Sequence, residues 1–425
     1  MKRVFLAAAL SLAFLPGAFA DFLIRPNDVV AICGDSITEQ KLYSTFVEDY
    51  LLMCQPTAGQ RIVQLGWGGE RVPGFLARLQ TDLFPFKPTV VTTCYGMNDG
   101  SYTTVRPDIV ETYRKALSDT VDKLKQNGVR AIVVGTPGAV DTETFKGKAV
   151  PAEVYNENLR QLGEAARDVA QKAGTAFADI HAPMIDAMAK AKAAYGPAYA
   201  FAGGDGVHPG PNGHLVMAQA ILKGLGCDGA IGTVTLDLAA NKAEGTPGQK
   251  IVSAKDGVVE IESARYPFWF EGEPGKAETS PAAIVGFTTF NDDLNRYLLV
   301  VKGLKGSRAK VTWSGADGNV SVSKEFPAAD LAKGVNLPAA FLGETPFKNA
   351  FIRVHIAVLK QQIGETLLVK SYLHNISGFK EMAPGKEAAL DEIAVAALDR
   401  DASLFKAAAD LVVPVRHAIK VEALP

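Results

Sequence analysis

The sequence lacks the features that mark nucleic-acid-binding or zinc-binding proteins. Its 425 residues carry 44 Lys and Arg against 46 Asp and Glu, a formal net charge of -2, with no basic block for a nucleic-acid backbone to bind. It has only four cysteines, at positions 33, 54, 94 and 227, and their spacing fits no zinc pattern. We therefore expect no metal, no cofactor and no nucleic-acid partner.

The first twenty residues form the only segment that is typical of a targeting signal. A basic pair at positions 2 and 3 precedes the apolar stretch 4–14, and Ala18-Phe19-Ala20 fits a small-x-small cleavage site. The stretch is too short to span a bilayer. The sequence thus predicts a signal peptide, residues 1–20, cleaved after Ala20, no membrane span, and a secreted or periplasmic protein.

Apolar strand patterns alternate with helical patterns from residue 28 to about residue 225, the larger part of a predicted domain 21–230. The predicted strands are Val29–Cys33, Arg61–Leu65, Thr89–Tyr95, Ala131–Gly135 and Ala176–Asp179. The predicted helices are Lys41–Met53, Gly74–Leu79, Asp108–Lys125, Ala152–Ala173 and Gly213–Leu225. This alternation predicts an α/β fold, a three-layer α/β/α sandwich with a five-stranded parallel sheet.

The pattern changes after Gly226, where short alternating runs replace the βα repeat. The region 231–345 is predicted to be an antiparallel, β-sandwich-like accessory domain, and 346–425 to be mostly helical. Its predicted strands are Val258–Ile261, Ile284–Phe290, Tyr297–Val301, Lys310–Trp313 and Val320–Lys324. The segment 316–319, Ala-Asp-Gly-Asn, predicts a hairpin turn between the last two.

Residues 32–38, Ile-Cys-Gly-Asp-Ser-Ile-Thr, end the first buried strand and deliver Ser36 to a strand-to-helix turn. Functional groups of α/β folds collect at this edge of the sheet, and the nearby helix N–H groups can stabilise a developing negative charge. Ser36 is therefore a candidate nucleophile. The same residues, followed by Glu39, also fit a helix cap, and the turn alone does not decide between the two.

Three later segments could supply what a nucleophilic serine needs. Asp205 and His208 lie three residues apart on one glycine- and proline-rich loop, so the carboxylate can orient the imidazole as a base. Gly69 follows the second predicted strand, where its backbone N–H can point at a ligand. Asn98 follows the third strand, and its amide can donate to an oxyanion. Each segment alone also fits an ordinary turn.

Together, the blocks Gly-Asp-Ser, Gly-Gly, Gly-x-Asn-Asp and Asp-x-x-His resemble the SGNH/GDSL hydrolase family over about residues 25–230. The resemblance implies a flavodoxin-like fold, with Ser36 as nucleophile and His208 as base held by Asp205. It implies an oxyanion hole made by the Ser36 and Gly69 N–H groups and the Asn98 amide. One departure is Gln64, at a position where the family often has asparagine. It puts in doubt the local support of the loop that carries Gly69.

The implied reaction is ester hydrolysis through an acyl-serine intermediate. An exported member with an added β region suggests short acyl groups, above all acetyl, on carbohydrate. Trp67 and Glu70, beside Gly69, are candidate substrate contacts, although Trp67 also fits a packing role. The polar insertion 138–151 is a candidate wall of the acyl site.

Two other functions stay open at this point. One is a lipase or lysophospholipase of the same family, which would need an apolar groove or lid. The other is a glycan-binding protein on a catalytically silent scaffold, with Trp269 and Trp313 as candidate contacts in the β region. A disulfide between Cys54 and Cys227 also stays open, because export permits a disulfide but does not require one.

Overall fold

Five parallel strands form the central sheet of the N-terminal half, as the sequence predicts. The computed structural model describes residues 21–316, 318 and 320–424, so the predicted signal segment 1–20 lies outside the described residues. The strands are β1 (Val29–Gly34), β2 (Arg61–Gly66), β3 (Val90–Cys94), β4 (Ala131–Gly135) and β5 (Ala176–Ala178). Their order is β2-β1-β3-β4-β5, and every neighbouring pair is parallel.

Helices cover both faces of this sheet, so the three-layer architecture is confirmed. They are α1 (Ser36–Glu39), α2 (Tyr43–Asp49), α3 (Val72–Arg78), α4 (Pro107–Gln126), α5 (Ala152–Ala173), α6 (His181–Tyr195) and α7 (Pro211–Gly224). Along β1, Val30 and Ile32 belong to one buried cluster, whereas Ala31 and Cys33 belong to the other. Since successive side chains of a strand point to opposite faces, a strand buried on both needs an unbroken apolar run.

The second half adds two further sheets, one with mixed strand directions and one that is antiparallel throughout. Its strands are β6 (Ala230–Asp237), β7 (Lys242–Gly245), β8 (Gln249–Lys255), β9 (Val258–Ser263), β10 (Arg296–Lys302), β11 (Arg308–Gly315), β12 (Ser321–Pro327), β13 (Val335–Asn336) and β14 (Val415–Leu424). The sheet orders are β13-β10-β6-β7 and β12-β11-β14-β9-β8. The expectation of a purely antiparallel region is wrong, because β6 and β10 pair in parallel. The predicted β11–β12 hairpin forms, and turn residues 317 and 319 lie outside the described residues.

The remaining helices lie between or after these strands. They are α8 (Pro281–Ile284), α9 (Phe290–Asp293), α10 (Ala328–Lys333), α11 (Leu337–Ala340), α12 (Lys348–Ser371), α13 (Ile376–Met382) and α14 (Glu387–Ala409). The strand predicted over Ile284–Phe290 is wrong. Ser280 accepts a hydrogen bond from the Ala283 N–H and Pro281 occupies the first helical turn, so this buried run begins as a helix.

The C-terminal residues connect the two halves of the chain, and they are not helical throughout. β14 lies between β11 and β9, so the sheet predicted within 231–345 is completed by the last ten described residues. Helix α12 packs against α2 and β2 of the first sheet, where Gln361 Nε2 donates to Ile62 O at 3.2 Å. The boundary expected at residue 345 therefore does not separate two self-contained units.

The two cysteines for which a disulfide stayed open do not form one. Cys54 and Cys227 are free, buried thiols, as are Cys33 and Cys94. Burial raises the pKa of each of these thiols, which keeps them protonated. Across residues 21–316, 318 and 320–424, no helix has the length and apolar character needed to cross a membrane.

Two buried glutamates lie where α12 meets α2. Burial raises the pKa of Glu365 to about 8 and, with Glu365 nearby, raises the pKa of Glu48 well above its ordinary value. Both carboxyls are fully buried. They hold protons in the folded chain that the unfolded chain releases near pH ~4.3. The free energy of unfolding should therefore fall as pH rises from there through about 8.

We expect Glu48→Gln to reduce this loss of stability at alkaline pH. Glu48 Oε2 accepts a hydrogen bond from Gln362 Nε2 at 2.7 Å, and a glutamine keeps that acceptor without a charge. Between pH 6 and 9 the variant should lose less unfolding free energy than the unmodified protein, by about 1 kcal/mol or more. Urea unfolding at both pH values measures this, with exposed Glu381→Gln as control. Equal losses in all three proteins would contradict the expectation.

Candidate functional site

Ser36 is the first residue of α1, in the turn that follows β1. A Cβ at Gly34 would lie 2.0 Å from Thr38 Oγ1 and 2.7 Å from Cys94 O, so only glycine fits at this position. Asp35 caps the helix, since its Oδ1 accepts a hydrogen bond from the Ile37 N–H at 3.0 Å. The alternative that Ser36 is the cap is therefore wrong, and its hydroxyl is available for another partner.

That partner is His208, and Asp205 completes a line of three side chains. The distance from Ser36 Oγ to His208 Nε2 is 2.8 Å, and from His208 Nδ1 to Asp205 Oδ2 it is 2.7 Å. A carboxylate only accepts hydrogen bonds, so Nδ1 carries the proton and Nε2 is free to accept from the serine hydroxyl. The side chains of Asp205 and His208 are 53% and 36% exposed, which leaves the site open to solvent.

The loop that carries this pair is fixed by its own backbone. Asp205 Oδ1 accepts hydrogen bonds from the Val207 and His208 N–H groups at 2.9 and 3.0 Å. Burial alone would raise the pKa of Asp205, but the hydrogen bonds from His208 and Val207 lower it overall. Gly203 has φ +76°, and a Cβ there would lie 2.0 Å from His208 O. The aspartate is thereby kept ionised and aimed at the imidazole.

The insertion 138–151 braces the same loop. Buried Asp141 accepts hydrogen bonds from the Phe201 N–H at 2.8 Å and from Lys192 Nζ at 2.9 Å. The Asp141 N–H in turn donates to Gly206 O at 2.9 Å. This segment therefore supports the loop that carries Asp205 and His208.

Gly69 and Asn98 follow β2 and β3, as predicted from the order of the strands. Gly69 is exposed with φ +72°, a left-handed conformation that glycine adopts readily. Within the described part of the chain, the N–H groups of Ser36 and Gly69 donate to no other protein group. Asn98 Nδ2 donates to Glu70 O at 3.1 Å, which uses one of its two hydrogens. These donors are free to bind an anionic oxygen.

The expectation that Glu70 contacts substrate is wrong, whereas Trp67, which is half-buried beside the same loop, stays a candidate substrate contact. The Glu70 carboxylate is buried, with both oxygens 2.7 Å from the Arg78 guanidinium and one accepting from the Tyr95 hydroxyl. The Trp67 ring contacts Arg78 at 5.2 Å, and Lys370 and His374 from the C-terminal region at 4.7 and 4.6 Å. Both side chains therefore stabilise the loop that presents Gly69.

Two buried carboxyls next to the site have raised pKa values. Burial raises the pKa of Asp35 to about 7 and that of Asp99 to about 6, against the lowering effect of the backbone N–H groups that each one binds. Asp99 Oδ1 accepts from the Val72 N–H at 3.0 Å and so ties the Asn98 loop to the start of α3. Gln64 gives further support, because its Nε2 donates to Thr38 O at the end of α1. The departure from the family pattern at position 64 thus leaves the serine turn supported.

Sequence reasoning did not single out Tyr102, Arg78 or Asp141. Tyr102 donates from its hydroxyl to Asn98 Oδ1 at 3.2 Å. Arg78 and Asp141 are charged residues inside segments otherwise typical of a helix and a loop. Each of them is a charged residue at a buried position. A charge in a segment whose pattern predicts burial is the sequence signal that could have indicated them. Arg78 has one local partner, Asp82, four residues later, whereas Lys192, the partner of Asp141, lies 51 residues away and gives no local pattern.

A cavity of about 660 Å³ lies apart from this site, and none of the residues that line it belongs to the site. That cavity lies beside β5, between α6 and α7, and its lining includes Phe177, Ala187 and Ala220. Likewise, within the described ranges no cluster of His, Cys, Asp and Glu could hold a metal ion.

Comparison with known proteins identifies the domain that carries these residues. Residues 32–216 match the model of the GDSL-like Lipase/Acylhydrolase family. An acetylxylan esterase of Geobacillus stearothermophilus is 25% identical over 190 residues, 43% of this chain and 80% of that protein. A gut microbial diltiazem-metabolizing enzyme shares the fold, with a TM-score of 0.71 and 22% identity over 94% of this chain and 98% of its own. Residues 32–216 therefore belong to the GDSL-like lipase/acylhydrolase family, and the chain carries an ester-hydrolase domain.

Proposed function

We propose that the protein is an exported serine esterase that removes short acyl groups, above all O-acetyl, from carbohydrate. The observation that carries the proposal is the line from Ser36 Oγ through the His208 ring to Asp205, with distances of 2.8 and 2.7 Å. This is the arrangement in which a serine hydroxyl becomes a nucleophile at neutral pH.

In the first half of the reaction, Ser36 Oγ attacks the ester carbonyl carbon while His208 Nε2 takes the hydroxyl proton. The carbonyl oxygen becomes an anion, which the Ser36 and Gly69 N–H groups and the second Asn98 hydrogen stabilise. The C–O bond to the alcohol then breaks, and the imidazolium gives its proton to the departing oxygen. The acyl group remains as an ester on Ser36.

In the second half, water replaces the alcohol. His208 takes a proton from water, the resulting hydroxide oxygen attacks the acyl carbon, and the same donors stabilise the second oxyanion. The bond to Ser36 Oγ breaks, and the serine regains the proton held by His208. Asp205 stays ionised throughout and stabilises the imidazolium, consistent with its lowered pKa.

Two observations support a short acyl group on a bulky molecule. The acetylxylan esterase of Geobacillus stearothermophilus is similar over 80% of its length. The Asp205 and His208 side chains are 53% and 36% exposed, so a large alcohol part can approach them without entering a deep channel. Export is supported by the basic and apolar pattern of residues 1–20 and its cleavage motif.

The experiment is a substrate panel with the mature protein and its Ser36→Ala variant. The panel contains p-nitrophenyl acetate, butyrate and palmitate, together with acetylated xylan and acetylated cello-oligosaccharides. We expect Ser36-dependent release of acetate, a preference for acetate over palmitate, and activity that rises with pH to a plateau at neutral or alkaline pH, because His208 must be neutral to act as base.

Each alternative has its own outcome in this panel. A preference for palmitate would indicate the lipase alternative. Tight binding of the glycans with no Ser36-dependent turnover of any ester would indicate a silent, glycan-binding scaffold. The buried position of Trp313, which lies in the core and donates to His417 Nδ1 at 3.2 Å, removes it as a surface glycan contact.

A further inference from the structure

We infer that Tyr102 is a positioning residue for oxyanion stabilisation, because its hydroxyl sets the orientation of the Asn98 amide. The inference rests on the proposed function, in which Asn98 donates to the oxyanion. Within the described residues, the Tyr102 hydroxyl makes no hydrogen bond to Ser36 or His208. Its effect is exerted through Asn98.

Two hydrogen bonds fix the Asn98 amide. The Tyr102 hydroxyl donates to Oδ1 at 3.2 Å, and Nδ2 donates to Glu70 O at 3.1 Å. Exchanging the amide oxygen and nitrogen would place Oδ1 against the Glu70 carbonyl oxygen with no hydrogen between them, and it would require the Tyr102 hydroxyl to rotate and accept from Nδ2. The contacts therefore select one orientation, which leaves the second Nδ2 hydrogen for a substrate oxygen.

The Tyr102 ring is held by its neighbours. It stacks on Tyr155, with ring centres 5.0 Å apart, and on Phe145 at 6.3 Å, whereas Lys148 Nζ lies 4.8 Å from its centre. Phe145 and Lys148 come from the insertion 138–151, which also braces the histidine loop. One segment thus supports both the base and the amide donor.

The backbone at this position is strained. Ser101 and Tyr102 have φ of +55° and +53°, a conformation that residues other than glycine seldom adopt. Asn158 Nδ2 donates to Gly100 O and Thr103 O, both at 2.9 Å. These two carbonyl groups flank Ser101 and Tyr102, so the hydrogen bonds hold the strained segment at both ends. Strain of this kind persists where surrounding contacts impose it, and it is concentrated at functional sites.

The tyrosine hydroxyl has no other role within the described residues. Its one protein hydrogen bond there is to Asn98 Oδ1, and the ring stack alone would be served by phenylalanine. Burial raises the pKa of Tyr102 to about 12, so the hydroxyl keeps the proton that it donates.

The test is a double-mutant cycle between Tyr102→Phe and Asn98→Ala, with kcat and KM measured separately on p-nitrophenyl acetate. We expect Tyr102→Phe to lower kcat about tenfold with KM changed less than about twofold, because the amide loses orientation only where the oxyanion forms. Asn98→Ala should lower kcat by about 10²-fold. In the Asn98→Ala background, Tyr102→Phe should change kcat less than about twofold.

The matched control is Tyr113→Phe, which removes a buried hydroxyl that donates to Tyr95 O and does not reach Asn98. It should keep kcat within about twofold. Full kcat in Tyr102→Phe, or an equal loss with and without Asn98, would overturn the positioning role. Full kcat in Asn98→Ala would instead overturn the oxyanion role in the proposed function, so the two failures are distinguishable.

Discussion

Replacing Ser36 by alanine should lower kcat for ester hydrolysis by about 10⁴- to 10⁶-fold, the largest loss that we expect from one substitution. The variant lacks the only atom that can form the acyl intermediate in the proposed mechanism. The Ser36 hydroxyl makes its one protein hydrogen bond, within the described residues, to His208. Because Asp35 and not Ser36 caps α1, alanine should leave the helix intact.

The measurement is kcat on p-nitrophenyl acetate together with the thermal midpoint. Ser118→Ala, on α4 away from the site, serves as control and should keep full activity. A Ser36→Ala protein that retains a tenth of the normal kcat would show that another group is the nucleophile. A midpoint unchanged within a few degrees would show that lost activity is a chemical effect and not unfolding.

Asp205→Asn should lower kcat by about 10⁴-fold, the second-largest effect. The asparagine oxygen can still accept from the Val207 and His208 N–H groups, so the loop should keep its shape. Its amide nitrogen would, however, donate to His208 Nδ1 where the carboxylate now accepts. That contact favours the tautomer with its proton on Nε2, which cannot take the proton of Ser36.

This loss should appear mainly in kcat, with KM nearly unchanged, because the carboxylate acts on the base and not on the substrate. Asp186→Asn, which removes an exposed carboxylate paired with Lys190, is the control and should behave as the unmodified protein does. A kcat within tenfold of normal for Asp205→Asn would mean that another carboxylate orients His208. Asp35, the buried carboxyl next to Ser36, would then be replaced by asparagine and its kcat measured in the same way.

The parallel sheet was predictable because its signals are local. An unbroken run such as Val90–Cys94 indicates a strand covered on both faces, and the glycine at position 34 indicates a turn at its neighbour's end. The C-terminal strand β14 was missed for the opposite reason. Its alternation is ordinary, and its partners β9 and β11 lie about a hundred or more residues earlier, so nothing local indicates which sheet it joins.

The predicted site residues lie where strand order places them, at the carboxyl ends of neighbouring strands. Ser36, Gly69 and Asn98 follow β1, β2 and β3, which are adjacent in the sheet. Glu70 was misassigned because a carboxylate beside a candidate oxyanion glycine suggests substrate binding. Its partner Arg78 lies eight residues later on α3, and only the packing of that helix under the loop brings the two charges together.

The central claim, that Ser36 is the nucleophile, is tested most directly by covalent labelling. An alkyl fluorophosphonate reacts with an activated serine by forming a P–O bond and releasing fluoride, and peptide mass spectrometry locates the adduct. We expect one adduct, on the peptide containing Ser36, with activity lost in proportion to labelling and far slower labelling in Asp205→Asn. Labelling of another residue, or full ester turnover by protein that is completely labelled at Ser36, would contradict the account.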